Sequence, residues 1–269
     1  MTKKSPARSG NKRPATTAYS TRIVSSRKEL KYYGVAACLA LWQKRPDDVI
    51  RIYVTEQTLK SFSALLKWAA TTRRAYHIVS NEDLERLTES IHHQGICLLA
   101  REPESVSFAQ CKAALSQRRD AVLVGYLDGV ENPHNLGAIV RTCAHFGIEY
   151  LLGEAGRLPK LSPSACRVAE GGAEHVKLVP VNEVNRTLTE LKKLDFAILT
   201  TAADGKAVYA TALPKRTLLV MGAEQSGVSA TLRKQADATI KIPGSGLVES
   251  LNVSVAFAII AAEFMRQQE

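Results

Sequence analysis

Three short stretches set carboxylate, carboxamide, hydroxyl and guanidinium groups among glycines, directly after apolar runs. In "LLVMGAEQSGVS" (218–229), Glu224 lies between Gly222 and Gly227. In "IKIPGSGLVESLN" (240–252), Pro243, Gly244 and Gly246 interrupt regular structure and deliver Glu249, Ser250 and Asn252 to the front of an apolar run, 253–262, broken only by Ser254. In "LDGVENPHNLGAIVRTCAHFG" (127–147), Asn135 and Arg141 share a predicted helix that opens near His134 or Asn135. They are six residues apart, under two turns, so they need not share a face. Paired glycines allow unusual backbone angles or close approach of a ligand. A helix N-terminus offers free N–H groups to anions and polar ligands. The plainer uses of the same residues are capping, by Ser250, Asn252 or Asn135, and a solvated surface charge at Arg141.

Strands and helices must bring these groups together. "AVLVGYL", "EYLL", "VKLVPV", "FAILT", "TLLVMG" and "ATIKI" are short apolar strands between helical stretches, the pattern of a mainly parallel sheet covered on both faces. All three loops follow strands, and ligands of such sheets gather at the carboxyl ends of strands. Upstream, "YYGVAACLALW", "DVIRIYV", "LKSFSALLKWAA", "YHIV", "SNEDLERL" and "GICLLA" alternate helix and strand as a smaller α/β unit. The expected organisation is a disordered basic tail at 1–21, a small domain at 22–100, a polar linker with one or two helical turns at 101–119, and a catalytic domain at 120–269.

Several chemistries are excluded by missing motifs. No GxGxxG follows a strand and no GxxxxGK[ST] is present, which argues against a dinucleotide enzyme and a P-loop NTPase. The six histidines lack metal-ligand spacing, so no metal is expected, and no nucleophile elbow follows Gly125. The ten-residue apolar run is too short for a bilayer, and the polar, basic start of the chain does not resemble a signal peptide. Five scattered cysteines without CxxC spacing point to reduced thiols and a cytoplasmic protein. The net charge is +10, and residues 1–31 hold nine cations against Glu29 alone, leaving the remainder nearly neutral. A basic head on a neutral body favours a polyanion such as RNA over a membrane.

Taken in order, "NPHNLGAIVRT", "VMGAEQSG" and "IPGSGLVESLNVSVA" resemble the motifs of the SpoU family of the SPOUT superfamily, the RNA ribose 2′-O-methyltransferases. The likeness covers about residues 121–266. Residues 32–100, with "IHHQGICLLA", look like the L30e-like substrate-binding domain that often precedes this catalytic domain. The resemblance implies a deep trefoil knot in the C-terminal half, S-adenosylmethionine as methyl donor, a homodimer and an rRNA or tRNA substrate. Carried over by motif, Arg141 is the catalytic arginine, and Asn135, Glu224, Ser250 and Asn252 order the site. Gly222, Ile242 and Leu251 match donor contacts, with Thr201 after "FAILT" as a further candidate. Gly244 stands where the family usually has methionine, and Glu170 where a small hydroxyl residue is common, as in a subgroup with its own substrate.

A ribose hydroxyl is a weak nucleophile until it loses its proton, and arginine is effectively always protonated. Arg141 therefore either accepts that proton in special surroundings or holds an RNA phosphate and stabilises charge developing on the oxygen. The competing readings are an RNA-binding relative without catalysis and a different α/β enzyme such as an oxidoreductase. Calorimetry with S-adenosylmethionine, S-adenosylhomocysteine and NAD separates them.

The basic head generates a test of its own. Each phosphate it neutralises should add roughly 0.7 to 0.9 to the slope of log affinity against log salt. Deleting residues 1–21 should flatten that slope and leave the modified nucleotide unchanged. An unaltered slope would show that the head does not touch RNA.

Overall fold

The computed structural model describes Met1 and residues 27–269, so the expected disorder of the tail lies outside the described residues. The chain then builds two sheets in succession. The first contains β1 (Glu29–Tyr33), α1 (Val35–Lys44), β2 (Val49–Val54), α2 (Ser63–Thr71), β3 (Ala75–Ile78), α3 (Asn81–Thr88) and β4 (Ile96–Arg101). Its strand order is β1-β4-β2-β3, with β4 antiparallel to β1 and β2, and β3 parallel to β2. The sequence reading misses β1. "ELKYY" is short, charged and only partly apolar, and it becomes a strand because the backbone of β4 pairs with all five residues.

The second unit contains α4 (Phe108–Gln117), β5 (Val122–Asp128), α5 (Pro133–His145), β6 (Tyr150–Glu154), α6 (Pro163–Val168), β7 (Lys177–Val181), α7 (Val184–Lys192), β8 (Ala197–Ala207), β9 (Arg216–Gly222), α8 (Ala230–Gln235), β10 (Ala238–Lys241) and α9 (Val253–Gln268). Its six strands run in the order β10-β8-β9-β5-β6-β7, and every pairing is parallel, as their apolar composition predicts. Helix α4 is longer than the one or two turns expected of a linker. A capping box between Ser107 and Gln110 starts it, and Cys111 and Leu115 bury against the sheet beside Val122, Tyr150 and Leu188.

All seven residues of β5 are buried, and the sheet departs from it in both directions. Strands β6 and β7 lie on one side, and β9, β8 and β10 on the other, which makes β5/β9 the switch point where a parallel sheet opens a crevice. Register places Asp128, the last residue of β5, beside Gly222, the last of β9. The loops carrying the first and second motifs therefore leave the sheet as neighbours. A Cβ at Gly222 would lie 2.1 Å from the carbonyl carbon of Gly227, so only glycine lets the loop fold back on its own strand.

One apolar cluster runs from Tyr32, Leu41 and Leu98 of the small sheet through Cys166 and Ala173 into Leu136, Leu219 and Phe257 of the large one. The small domain is thus packed onto the large one. Gly171, at φ 89°, lets the chain after α6 approach α1, and a Cβ there would meet Ala40 at 2.8 Å. Beside this contact Arg45 donates to Glu174 at 2.6 and 3.1 Å, to Asp48 at 3.1 Å, to the Tyr32 hydroxyl at 2.8 Å and to the Arg101 carbonyl. Burial opposes ionisation of Asp48, but hydrogen bonds from Arg27 and Arg45 outweigh it and hold the carboxyl below its usual range. Its contribution to stability is complete above the unfolded carboxylate range and is lost as pH falls through the lower folded value. All five cysteines are free and buried, and burial pushes the thiols of Cys97, Cys111 and Cys166 up to about 12, so they act as apolar packing.

The Glu174 side chain is only 3% exposed. Arg45→Ala strands its carboxylate in the interface and should cost about 3 kcal/mol. Arg86→Ala, which breaks an exposed pair with Asp83, should cost less than about 1 kcal/mol. Urea-unfolding midpoints measure both, and equal shifts would make the interface pair dispensable.

Candidate active site

Helix α5 begins earlier than its sequence predicts. Pro133 occupies its first turn, and Asn132 caps it by accepting from the His134 N–H at 2.8 Å. Asn135 is therefore free of capping duty. Its Nδ2 donates to Glu224 Oε1 at 2.9 Å, across 89 residues of sequence. Asn252 Nδ2 completes a triangle, donating at 2.9 Å both to Asn135 Oδ1 and to the same Glu224 oxygen. The other end of Asn252 caps α9, accepting from the Ser254 N–H at 2.9 Å and the Ser254 hydroxyl at 2.6 Å. The capping reading of Asn252 and its site reading both hold, because the carboxamide uses its oxygen for one and its nitrogen for the other.

A cleft of about 580 Å3 opens beside this triangle. Thr201, Gly222, Ile242 and Leu251 all line it, together with Glu224 and Ser250. Apolar walls come from Met221, Val248 and Ile260, while carboxylates enter from Glu224 and Glu249. That volume is ordinary for a ligand site. Apolar surface for a heterocycle, exposed loop backbone and carboxylates for a cation are the groups that an adenosyl sulfonium donor requires, so the residues present fit S-adenosylmethionine. Gly244 borders the cleft, and the space a Cβ would occupy there is empty to 4 Å, so the departure from methionine leaves the rim open. A second cavity of about 410 Å3 includes Gly129, Asn132, Asn135 and Arg157, and shares Ala223, Glu224 and Val253 with the first. Glu224 stands in the wall between them.

Arg141 is not part of this assembly within one chain. It is exposed on α5, borders neither cavity, and its side chain has no hydrogen bond or ion pair among the described residues. Its backbone packs near Gly172, in the segment that carries Glu174 to the small domain. Glu170 is exposed at φ 49° and also lies outside both cavities. Asp128 was missed by sequence reading. It is 9% exposed, and its Oδ2 accepts from the Ser229 N–H at 2.7 Å, which pins the far end of the Glu224 loop to β5. The one available signal was an acid closing an otherwise apolar strand immediately before Gly129.

Residues 122–262 match the SpoU rRNA Methylase family, and residues 32–106 match the RNA 2′-O ribose methyltransferase substrate-binding family. The chain therefore belongs to the SpoU rRNA methylase family, a class of RNA methyltransferases. Among individual proteins, it is 34% identical to an uncharacterized tRNA/rRNA methyltransferase, YfiF, of Escherichia coli O157:H7, over 90% of this chain and 69% of that one. It is also 34% identical to the 23S rRNA (guanosine-2′-O-)-methyltransferase RlmB of Acinetobacter baylyi, over 88% of this chain and 97% of that one. In fold it is similar to the SpoU methyltransferase AviRb of Streptomyces viridochromogenes, solved in complex with AdoMet, at a TM-score of 0.73 and 21% identity, covering 89% and 90% of the two chains.

The two duties of Asn252 can be separated. Asn252→Ala removes the cap and both donated bonds, and should destabilise the protein by about 2 kcal/mol. Asn252→Ser keeps a good capping oxygen but cannot span to Glu224, and should recover about 1 kcal/mol of that loss. Thermal unfolding compares them, and equal losses would mean that the cap carries no weight.

Proposed function

We propose that this chain transfers a methyl group from S-adenosylmethionine to a ribose 2′-hydroxyl of rRNA or tRNA. The observation that carries this reading is the Asn135–Glu224–Asn252 triangle, which gathers all three family motifs at the edge of one donor-sized cleft. S-adenosylmethionine supplies an electrophilic methyl on a sulfonium that leaves as a neutral thioether, while the attacking hydroxyl gives up its proton to solvent water. Thr201, Gly222, Ile242 and Leu251 are the donor contacts in this reading, and Glu224 and Glu249 complement the donor's positive charge. Ser250 lies on the cleft side of the triangle and helps order the loop. The acceptor ribose approaches from the second cavity, so that Glu224 borders both reactants and Asn135 the acceptor alone.

Positioning is the largest service such a site renders, because an aligned hydroxyl and methyl react as one molecule. We assign Arg141 to the RNA backbone. Its planar guanidinium holds a phosphate in two-point contact and offsets negative charge on the attacking oxygen. Since Arg141 borders neither cavity of its own chain, this role calls for a homodimer that sets α5 of one protomer against the site of its partner. Exposed Leu247, Val248 and Val255 at the front of α9, at 89%, 69% and 47%, support an apolar contact there. The reading includes a trefoil knot in the C-terminal half and a cytoplasmic location. Buried free thiols support that location, and no helix among the described residues is long and apolar enough to cross a membrane.

Arg141→Ala should abolish methyl transfer, with the fold and donor binding retained. Arg141→Lys should fail as well, since an ammonium cannot reproduce the bidentate contact. A 2′-O-methyl group removes the hydroxyl that attacks the neighbouring phosphate, so the product should resist alkaline cleavage at the modified nucleotide. Radiolabelled methyl found on a base, or full activity in Arg141→Ala, would refute the ribose mechanism.

A further inference from the structure

We propose that the open face of the small sheet around Arg51, Tyr53 and His77 is a stacking platform for single-stranded RNA, one that selects the substrate away from the chemistry. This rests on the reading of RNA as the substrate. In the register of β2 and β3, Arg51 lies beside Ala75 and Tyr53 beside His77, which puts these four side chains on one face. On the same face Tyr53 neighbours Cys97, and Arg51 neighbours Leu99, with Lys31 of β1 beyond it. Helix α3 covers only part of this surface, through Leu84 and Leu87 packed on Tyr33, Cys97 and the inner side of Tyr53. Arg51, Ala75 and His77 are left exposed, and Leu99 half-buried.

What remains uncovered has the composition of a nucleobase site. The Tyr53 and His77 rings stack with centroids 5.4 Å apart and planes 21° from parallel, and Arg51 reaches the Tyr53 hydroxyl at 3.5 Å. This stacked pair, with His77 exposed and Tyr53 half-buried, offers a base an aromatic surface, and the guanidinium beside it offers the phosphate a cation. Charge is graded along the sheet. Arg51, Arg73, Arg74 and Arg101 gather at the end where β3 begins and β4 finishes, against Asp47, Asp48 and Glu29, with Arg74 paired to Asp47 and Arg101 to Asp48. The acids Glu82 and Asp83 open α3 beyond the other end of β3. A strand of RNA crossing the stacked rings therefore finds cations for its backbone on one side. Every side chain of β3 is exposed, including Tyr76 at 44% and Ile78 at 50%, which also leaves its edge open to a peptide strand. The cations and the ring pair favour RNA over that occupant, and Tyr76 on the opposite face distinguishes them.

The test uses the full chain and a fluorescein-labelled single-stranded RNA of about twelve nucleotides, within the span of one such platform. Salt is set high enough to suppress non-specific phosphate binding by the basic head. Arg51→Ala with His77→Ala should weaken binding about tenfold and raise the KM for RNA while kcat and donor affinity stay unchanged. Tyr53→Phe, which keeps the ring, and Tyr76→Ala should bind as the wild type does. Unchanged affinity and KM in the double variant overturn the platform, and so does a loss confined to Tyr76→Ala, which would mark the strand edge as the binding element. Wild-type protein that binds no RNA in any form refutes the RNA-substrate reading itself, an outcome distinct from either of these.

Discussion

One oxygen atom holds the site together. Glu224 Oε1 accepts from Asn135 at the head of α5 and from Asn252 at the head of α9, and the two carboxamides also bond to each other. These residues come from loops after three different strands, and each loop alone is rich in glycine or proline and costly to order. A carboxylate accepting two donors makes the loops mutually dependent, because charge-assisted bonds are stronger than neutral ones. Fixing one loop fixes the others. The cleft on one side of Glu224 and the cavity on the other take their shape from that constraint.

The surrounding fold serves the same end. Parallel register sets Asp128 beside Gly222, so two of the three loops begin as neighbours before any side chain acts. Asp128 then anchors Ser229, and the glycine at 222 allows a return that any side chain would block. Behind α5, the segment holding Gly171, Gly172 and Glu174 is clamped between the helix that bears Arg141 and α1 of the small domain. The small and large units thus share one apolar core and one buried ion pair.

Much of this was legible in the residues, for identifiable reasons. The large sheet announced itself because its central strands, β5, β6 and β9, are buried on both faces and read as largely apolar runs. Gly222, Ile242 and Leu251, singled out by motif, and Thr201, singled out as the residue after "FAILT", line one cleft. What stayed hidden was set by long-range contact. "ELKYY" is a strand only because β4 lies beside it, and α4 earns its length by burying Cys111 and Leu115 under a sheet formed later in the chain. The true start of α5 at Pro133 was obscured because Asn132 and Asn135 are equally good caps by type. The Arg45–Glu174 pair, 129 residues apart, carries no local signature, and Asp128, 101 residues from Ser229, carries only its place as the acid that closes an apolar strand.

The central claim is that Glu224 bridges the loops that form the donor site. Calorimetric titration of S-adenosylhomocysteine into the full chain and into Glu224→Ala tests it directly, with circular dichroism to confirm that both are folded. The account predicts saturable binding to the wild type and a loss of about tenfold or more in the variant, the worth of a charge-assisted contact. Equal affinity in the two proteins would contradict it, because the cleft would then keep its shape without the bridge.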